Sequence, residues 1–339
     1  MQWHFSSQHE AIHSMRGLPK WLRRVLVWPP TTGVKIRKSL TFLKSATGDW
    51  LECPASLLED VLMAIKDILL PLIGVPSPTA VAAIEKCVRV AASFEAEITA
   101  LAVEEDVPDR SQVVISADLD RADEVKSTMD AHGLLKAFDA SATEIGVRNV
   151  QRVAHLMAGD APGHLALCAR PKDLSIVPVK PHDSRSEKII EGLIFRSGRP
   201  ILLCSEELAA GLPVNFERIV IAWDHSAPAA RAVGDALSML RGARDVQVIT
   251  ATDENTPAEQ QSGAELVRHP GEHGIEARFE TVRIDGSSVG KIFEALVGAR
   301  AADLLVMGAY GHSRLNEWVW GGMTKTVIGR PPCWVILSH

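Results

Sequence analysis

No apolar run in the 339 residues approaches the ~20 that a membrane-spanning helix needs, so no transmembrane segment is expected. Metal-ligand spacing is missing as well. The five cysteines (Cys53, Cys87, Cys168, Cys204 and Cys333) are scattered and odd in number. They fit inert thiols packed inside a cytoplasmic protein better than a disulfide framework, and no metal site is expected. Gly-x4-Gly-Lys-Ser/Thr does not occur, which argues against a P-loop NTPase; the absence of Gly-x-Gly-x-x-Gly argues against a dinucleotide dehydrogenase. No residue stands out as a general base, so the chain reads as a binding protein with no catalytic residues.

Charge is distributed unevenly. Residues 1–50 hold eight Lys/Arg (Arg16, Lys20, Arg23, Arg24, Lys35, Arg37, Lys38 and Lys44) against Glu10 and Asp49, a balance of +6. The whole chain carries −6, which leaves −12 for residues 51–339. So acidic a body repels nucleic acid, and no DNA partner is expected outside the first fifty residues. Residues 1–62 read as a basic, tryptophan-containing extension with Trp3, Trp21, Trp28 and Trp50. Leu18–Trp28 has the pattern of a short basic amphipathic helix, which suits a surface anchor or a targeting segment. A poorly ordered extension, or a true start at Met63, fits equally.

From Met63 onward the sequence repeats. Lys66–Leu72 aligns with Glu217–Trp223 and Gly198–Leu203 with Gly329–Trp334, the first copy being twenty residues longer between these anchors. The copies delimit two expected domains, 63–210 and 214–339. In the first, strands are predicted at Asp67–Ile73, Ile98–Val103, Leu174–Val179 and Ile201–Cys204. Helices are predicted around Val81–Ala92, Asp118–Ala142, from Pro162, and at Ser186–Phe195. The second copy alternates in the same way from Arg218–Ala222 to Cys333–Leu337. Such βα alternation implies a parallel sheet with helices on both faces, a doubly wound α/β fold.

In that fold, ligands settle beyond the carboxyl ends of the strands, where strand order reverses. The strand Leu304–Met307 runs straight into Gly308-Ala309-Tyr310-Gly311, a polar segment, and Gly321-Gly322 before a helix over Met323–Ile328. Glycines at a strand end and a helix start let a phosphate approach bare N–H groups. The spacing Gly-x2-Gly-x9-Gly resembles the nucleotide-binding signature of the universal stress protein family, where a Ser or Thr follows. Here that position is Gly322, which would cost one neutral hydrogen bond, about 0.5–1.5 kcal/mol.

The resemblance implies two tandem adenine nucleotide alpha hydrolase-like domains, with ATP or AMP in the second. It is clear over about 214–339, weaker over 63–205, and does not reach 1–62. Carried onto this sequence, it implies a site made from Ala222, Trp223, Asp224, Ala251, Met307, Gly308, Gly311, His312, Gly321, Gly322, Met323 and Thr324. Asp224 stands where the family has an aspartate against the nucleoside; it also fits a cap on the helix starting near Ala227-Pro228. Gly308 and Gly311 also fit a tight turn needing positive φ. Thr324 or His312 would stand in for the missing hydroxyl, and Arg314 is a further candidate for phosphate.

The first copy has Ile73-Gly74 at the place of Asp224 and lacks the glycine loop, so it is expected to bind no nucleotide. Its Lys180, His182 and Arg185 form a basic cluster. Stress proteins of this type pair through their last strands, which implies an intrachain pseudo-dimer through Ile201–Cys204 and Cys333–Leu337; a homodimer of whole chains stays open. Two functions follow. One is a stress-response module with ATP or AMP as a regulatory ligand. The other is a nucleotide-free interaction protein acting through unknown protein partners.

Overall fold

The apolar runs become strands, and nearly all of them are buried on both faces. The computed structural model describes residues 35–36, 42–44, 50–52, 65–74, 78–106, 117–253, 256–310 and 321–339. In the leader, β1 (Lys35–Ile36), β2 (Phe42–Lys44) and β3 (Trp50–Glu52) form a small antiparallel sheet in that order. The predicted helix at Leu18–Trp28 and the start at Met63 lie outside the described residues.

Residues 65–339 form a second unit built on one ten-stranded sheet. The chain enters it as β4 (Asp67–Ile73), α1 (Val81–Ser93), β5 (Glu97–Asp106), α2 (Ala117–Ile145), β6 (Asn149–Met157), α3 (Ala161–Ala169), β7 (Leu174–Val179), α4 (Ser184–Arg196) and β8 (Ile201–Ser205). It then repeats the scheme as β9 (Arg218–Ala222), α5 (Ala227–Leu240), β10 (Asp245–Ala251), α6 (Pro257–Glu272), β11 (Ala277–Val282), α7 (Val289–Arg300), β12 (Leu304–Gly308), α8 (Gly321–Gly329) and β13 (Trp334–Ser338). Sheet order is β11-β10-β9-β12-β13-β8-β7-β4-β5-β6. Counted within each half, the strands lie in the same order, 3-2-1-4-5.

Side-chain alternation along each strand divides the core into two faces. Ile219, Ile221 and Trp223 of β9 face one layer with α1, α2, α5 and α6. Val220 and Ala222 face the other, with α3, α4, α7 and α8. Among the described cysteines, Cys87, Cys204 and Cys333 are buried and Cys168 is partly so, all with free thiols.

Every pairing in the ten-stranded sheet is parallel except one. β13 runs antiparallel to β8, with Val335 opposite Leu203, Ile336 opposite Leu202 and Leu337 opposite Ile201. Each of these strands would otherwise be a fully apolar edge. Trp334 of β13 anchors the seam: it is completely buried, its Nε1–H donates to the Pro213 carbonyl at 2.9 Å, and Phe216 meets it edge-on at 6.2 Å. Pro213 and Phe216 belong to the segment joining the halves, so one side chain ties strand, linker and core together.

The halves differ where strand order reverses. In the second, β12 pairs with β9 over four positions, Leu304↔Ile219 to Met307↔Ala222. In the first, β7 pairs with β4 over two, Ile68↔Leu174 and Leu69↔Ser175. Pro71 in β4 and Pro178 in β7 each lack an N–H, and the ladder ends before either is reached.

Trp334→Ala is expected to destabilise residues 65–339 by about 3–5 kcal/mol, because it opens a cavity at the seam and leaves the Pro213 carbonyl without its donor. Urea unfolding measures this; a loss under about 1 kcal/mol would show that the seam does not depend on Trp334.

Candidate functional site

Because β9 and β12 are neighbours in register, their carboxyl ends bring Ala222-Trp223-Asp224 beside Met307-Gly308. β9 has β10 on its other side, so this is the reversal point of the second half. Ala222, Ala251, Met307 and Met323 are buried in the core layer beneath it. Trp223 packs into the opposite layer, with its Nε1–H donating to Ser262 Oγ at 3.3 Å.

Asp224 is buried, and its Oδ1 accepts from the Ser226 backbone N–H at 3.0 Å and from Ser226 Oγ–H at 2.6 Å. The cap of α5 is therefore Ser226, whose Oγ accepts from Ala229 N–H at 3.2 Å. This corrects the simple capping expectation for Asp224. The carboxylate orients the capping serine from one step behind, through a local turn that aspartate favours. His225 lies between them at φ 62°, its imidazole edge-on to Trp223 at 5.7 Å.

Gly308 also differs from expectation. Its φ is not positive; the glycine is required by space. A methyl group there would overlap the backbone nitrogen of Ala229 and lie 2.7 Å from the Pro228 carbonyl carbon. The end of β12 thus presses on the first turn of α5, where only backbone can meet backbone. Positive φ falls instead on Tyr310, at 53°. The local donors are engaged: Ala309 N–H gives to the Ser338 carbonyl at 2.8 Å, and Tyr310 N–H reaches Thr324 Oγ1 at 3.5 Å.

Thr324 is buried, with its hydroxyl turned toward the strand end. Gly322 lies in the first turn of α8, its carbonyl accepting from Thr326 Oγ1–H at 2.8 Å. Among the described residues, nothing lies within 4 Å of a side-chain carbon built on Gly322. Gly321 opens α8, whereas Gly311, His312 and Arg314 lie outside the described residues. Asp253 accepts from the N–H groups of Ile284 and Asp285 at 3.0 and 2.9 Å, just past the end of β11. No three His, Cys, Asp or Glu side chains are grouped to hold a metal ion among the described residues.

The sequence assigns no role to His225, Ser226 or Tyr310. Ser226 had a signal, a serine two residues before a proline at a helix start. Thr250, buried at the end of β10, donates to the Trp223 carbonyl at 2.8 Å and fixes the β9 end.

The same place in the first half is closed. Thr79 Oγ1 accepts from Ile73 N–H at 3.2 Å and donates to the Ile73 carbonyl at 3.3 Å, folding the strand end onto itself. The expected basic cluster does not act as one. Arg185 pairs with Glu105 at 3.0 Å, and the backbone N–H of His182 gives to the Gly329 carbonyl at 2.9 Å.

The fold is that of a doubly wound α/β protein whose strand order reverses once in each half. Residues 215–339 match the model of the universal stress protein family. No curated protein matches the sequence significantly. Among solved structures, a universal stress protein from Archaeoglobus fulgidus DSM 4304 is 17% identical, with 82% of this chain and 97% of that one covered at a TM-score of 0.60. A functionally unknown protein from Pseudomonas aeruginosa PAO1 is 14% identical, over 82% of this chain and 94% of that one, at 0.50. These likenesses cover both halves and are likenesses of fold. No described helix is long and apolar enough to cross a membrane.

Gly308→Ala is expected to cost about 1–3 kcal/mol of stability with no ligand present, since neither backbone can yield. Thermal or urea unfolding of the ligand-free variant checks it; an unchanged midpoint would mean that the strand end and α5 separate easily.

Proposed function

We propose that the chain is a universal stress protein-like stress-response module whose second half, 214–339, takes ATP or AMP as a regulatory ligand. The first half, 63–210, is its ligand-free counterpart, so the two form a pseudo-dimer within one chain. One observation carries the reading: β12 stays paired with β9 as far as Met307↔Ala222, whereas the ladder of β7 with β4 ends at Leu69↔Ser175. Asp224 follows the end of β9, Gly308 ends β12 against the first turn of α5, and Thr324 of α8 reaches the Tyr310 N–H. Match to the family over 215–339 supports the same half.

Each part has a role in this reading. Helix α8 presents its first-turn N–H groups and the positive end of its dipole to phosphate. Gly311, His312 and Gly321 line the phosphates together with Gly322. Asp224, whose Oδ1 holds Ser226, presents its carboxylate edge to ribose hydroxyls or an adenine amine. Ala222, Trp223, Ala251, Met307 and Met323 shape the floor. Thr324 supplies the hydroxyl nearest the strand end, in place of the one lost at Gly322. The ligand biases conformation or partner choice, and the protein binds rather than catalyses.

A second reading is favoured by Gly322 and by the engaged donors of Ala309 and Tyr310: a nucleotide-free protein that works through its surfaces. The two separate on one substitution. Gly322→Ser adds the missing hydroxyl and is expected to tighten ATP binding several-fold, by the ~0.5–1.5 kcal/mol of one hydrogen bond. Asp224→Ala is expected to weaken it by at least as much. Calorimetric titration of ATP into stripped protein decides; no binding by wild type or Gly322→Ser at millimolar ATP would establish the second reading.

A further inference from the structure

Phe195 is a large aromatic side chain of α4 that stays 51% exposed in the folded chain. Its neighbours come from the other half. The Tyr310 ring lies 4.9 Å from it, tilted by 37°, and the His339 imidazole meets it edge-on at 4.9 Å. One turn earlier on α4, Glu191 accepts from the Tyr310 hydroxyl at 3.0 Å. Glu191 and Phe195, four residues apart on one helix face, therefore bracket a single ring of the second half.

That ring belongs to the residue following Gly308-Ala309, at the point where the glycine stretch leaves β12. Its backbone is in the left-handed region at φ 53°, a conformation costly for a residue with a side chain and kept only where surroundings enforce it. The surroundings are those two contacts, together with Thr324 on the backbone side. His339 adds a third tie, its Nδ1 standing 2.9 Å from the Ala309 carbonyl. Burial first, and the Glu191 carboxylate second, hold the Tyr310 phenol well above its ordinary range, so it stays a neutral donor at physiological pH.

We propose that the first half sets the nucleotide affinity of the second through Tyr310, the Glu191 hydrogen bond and the Phe195 ring fixing the strand end Gly308–Tyr310 against Thr324. This rests on the nucleotide reading given above. The half that has lost its own site thus serves the other one, with Glu191 and Phe195 as positioning residues for a ligand they do not touch. Hydrogen bonds to a charged acceptor are stronger than neutral ones, so the bracket is worth a measurable share of the affinity.

Tyr310 is the only tyrosine in the chain, so full-length protein labelled at the tyrosine ζ carbon gives one resonance. In an alkaline titration that resonance is expected to move at higher pH than free tyrosine, and to return toward the free value in Glu191→Gln. Calorimetry with ATP on the same proteins is expected to show binding weakened on the order of tenfold in Tyr310→Phe and in Glu191→Gln. The double variant should be no weaker than either single one, because both remove the same bond. Tyr310→Phe loses a single oxygen and decides the matter if Glu191→Gln does not fold. Wild-type binding of ATP that both variants match in strength overturns this inference alone. A wild-type chain that takes up no ATP at millimolar concentration, even with the titration as expected, overturns the nucleotide reading and the inference with it.

Discussion

The antiparallel ladder between β8 and β13 is the contact on which the rest of residues 65–339 depends. Two five-stranded sheets of the same internal order each end in an apolar fifth strand, and neither could leave that strand exposed. Pairing them turns two edges into the centre of one sheet. The remaining edges are then β11 and β6, which are mostly half-exposed or exposed along their length. The ladder also fixes how α4 of the first half lies against the end of β12. Without it, Glu191 and Phe195 would not meet Tyr310.

One sheet of repeated order has thus acquired two unlike reversal points, for reasons that lie in the backbone. In the second half, β9 and β12 stay paired to their ends, and glycine at position 308 lets β12 come down on α5. Ser226, held by Asp224, caps that helix in the same place, so strand end, turn and helix start are a single rigid corner. In the first half, Pro71 and Pro178 remove donors and the ladder stops early. Thr79 bonds to the backbone of Ile73 at the strand end, and Arg185 pairs with Glu105. The same strand order therefore carries two unlike strand ends, and α4 of the first half contacts the end of β12 in the second.

Much of the fold was legible because parallel strands buried on both faces leave unbroken apolar runs, such as Leu304–Met307 and Ile201–Cys204. The helices between them were legible from their spacing, and the length of β5 was underestimated only where Glu104 and Glu105 interrupt the apolar pattern. The candidate site was legible in outline. The glycine stretch and the α8 start stood out by local pattern, and Asp224 was named from the resemblance to the stress-protein signature. What local pattern does not carry is the reason each residue is there. Gly308 answers to Ala229, 79 positions away in the chain, and Tyr310 to Glu191, 119 positions away. Thr250 acts on the backbone of Trp223 across a strand pair. Asp224 was expected as a cap on α5; the geometry gives the cap to Ser226 and leaves Asp224 to hold it.

The central claim is that one half of the chain, and only one, holds a nucleotide. The most direct measurement is the nucleotide content of full-length protein as purified from cells, released by denaturation and quantified by chromatography against protein concentration. One adenine nucleotide per chain, abolished by Asp224→Ala, is the predicted result. Two per chain would contradict the closed first half, and none, with no uptake when ATP is added back, would contradict the site itself.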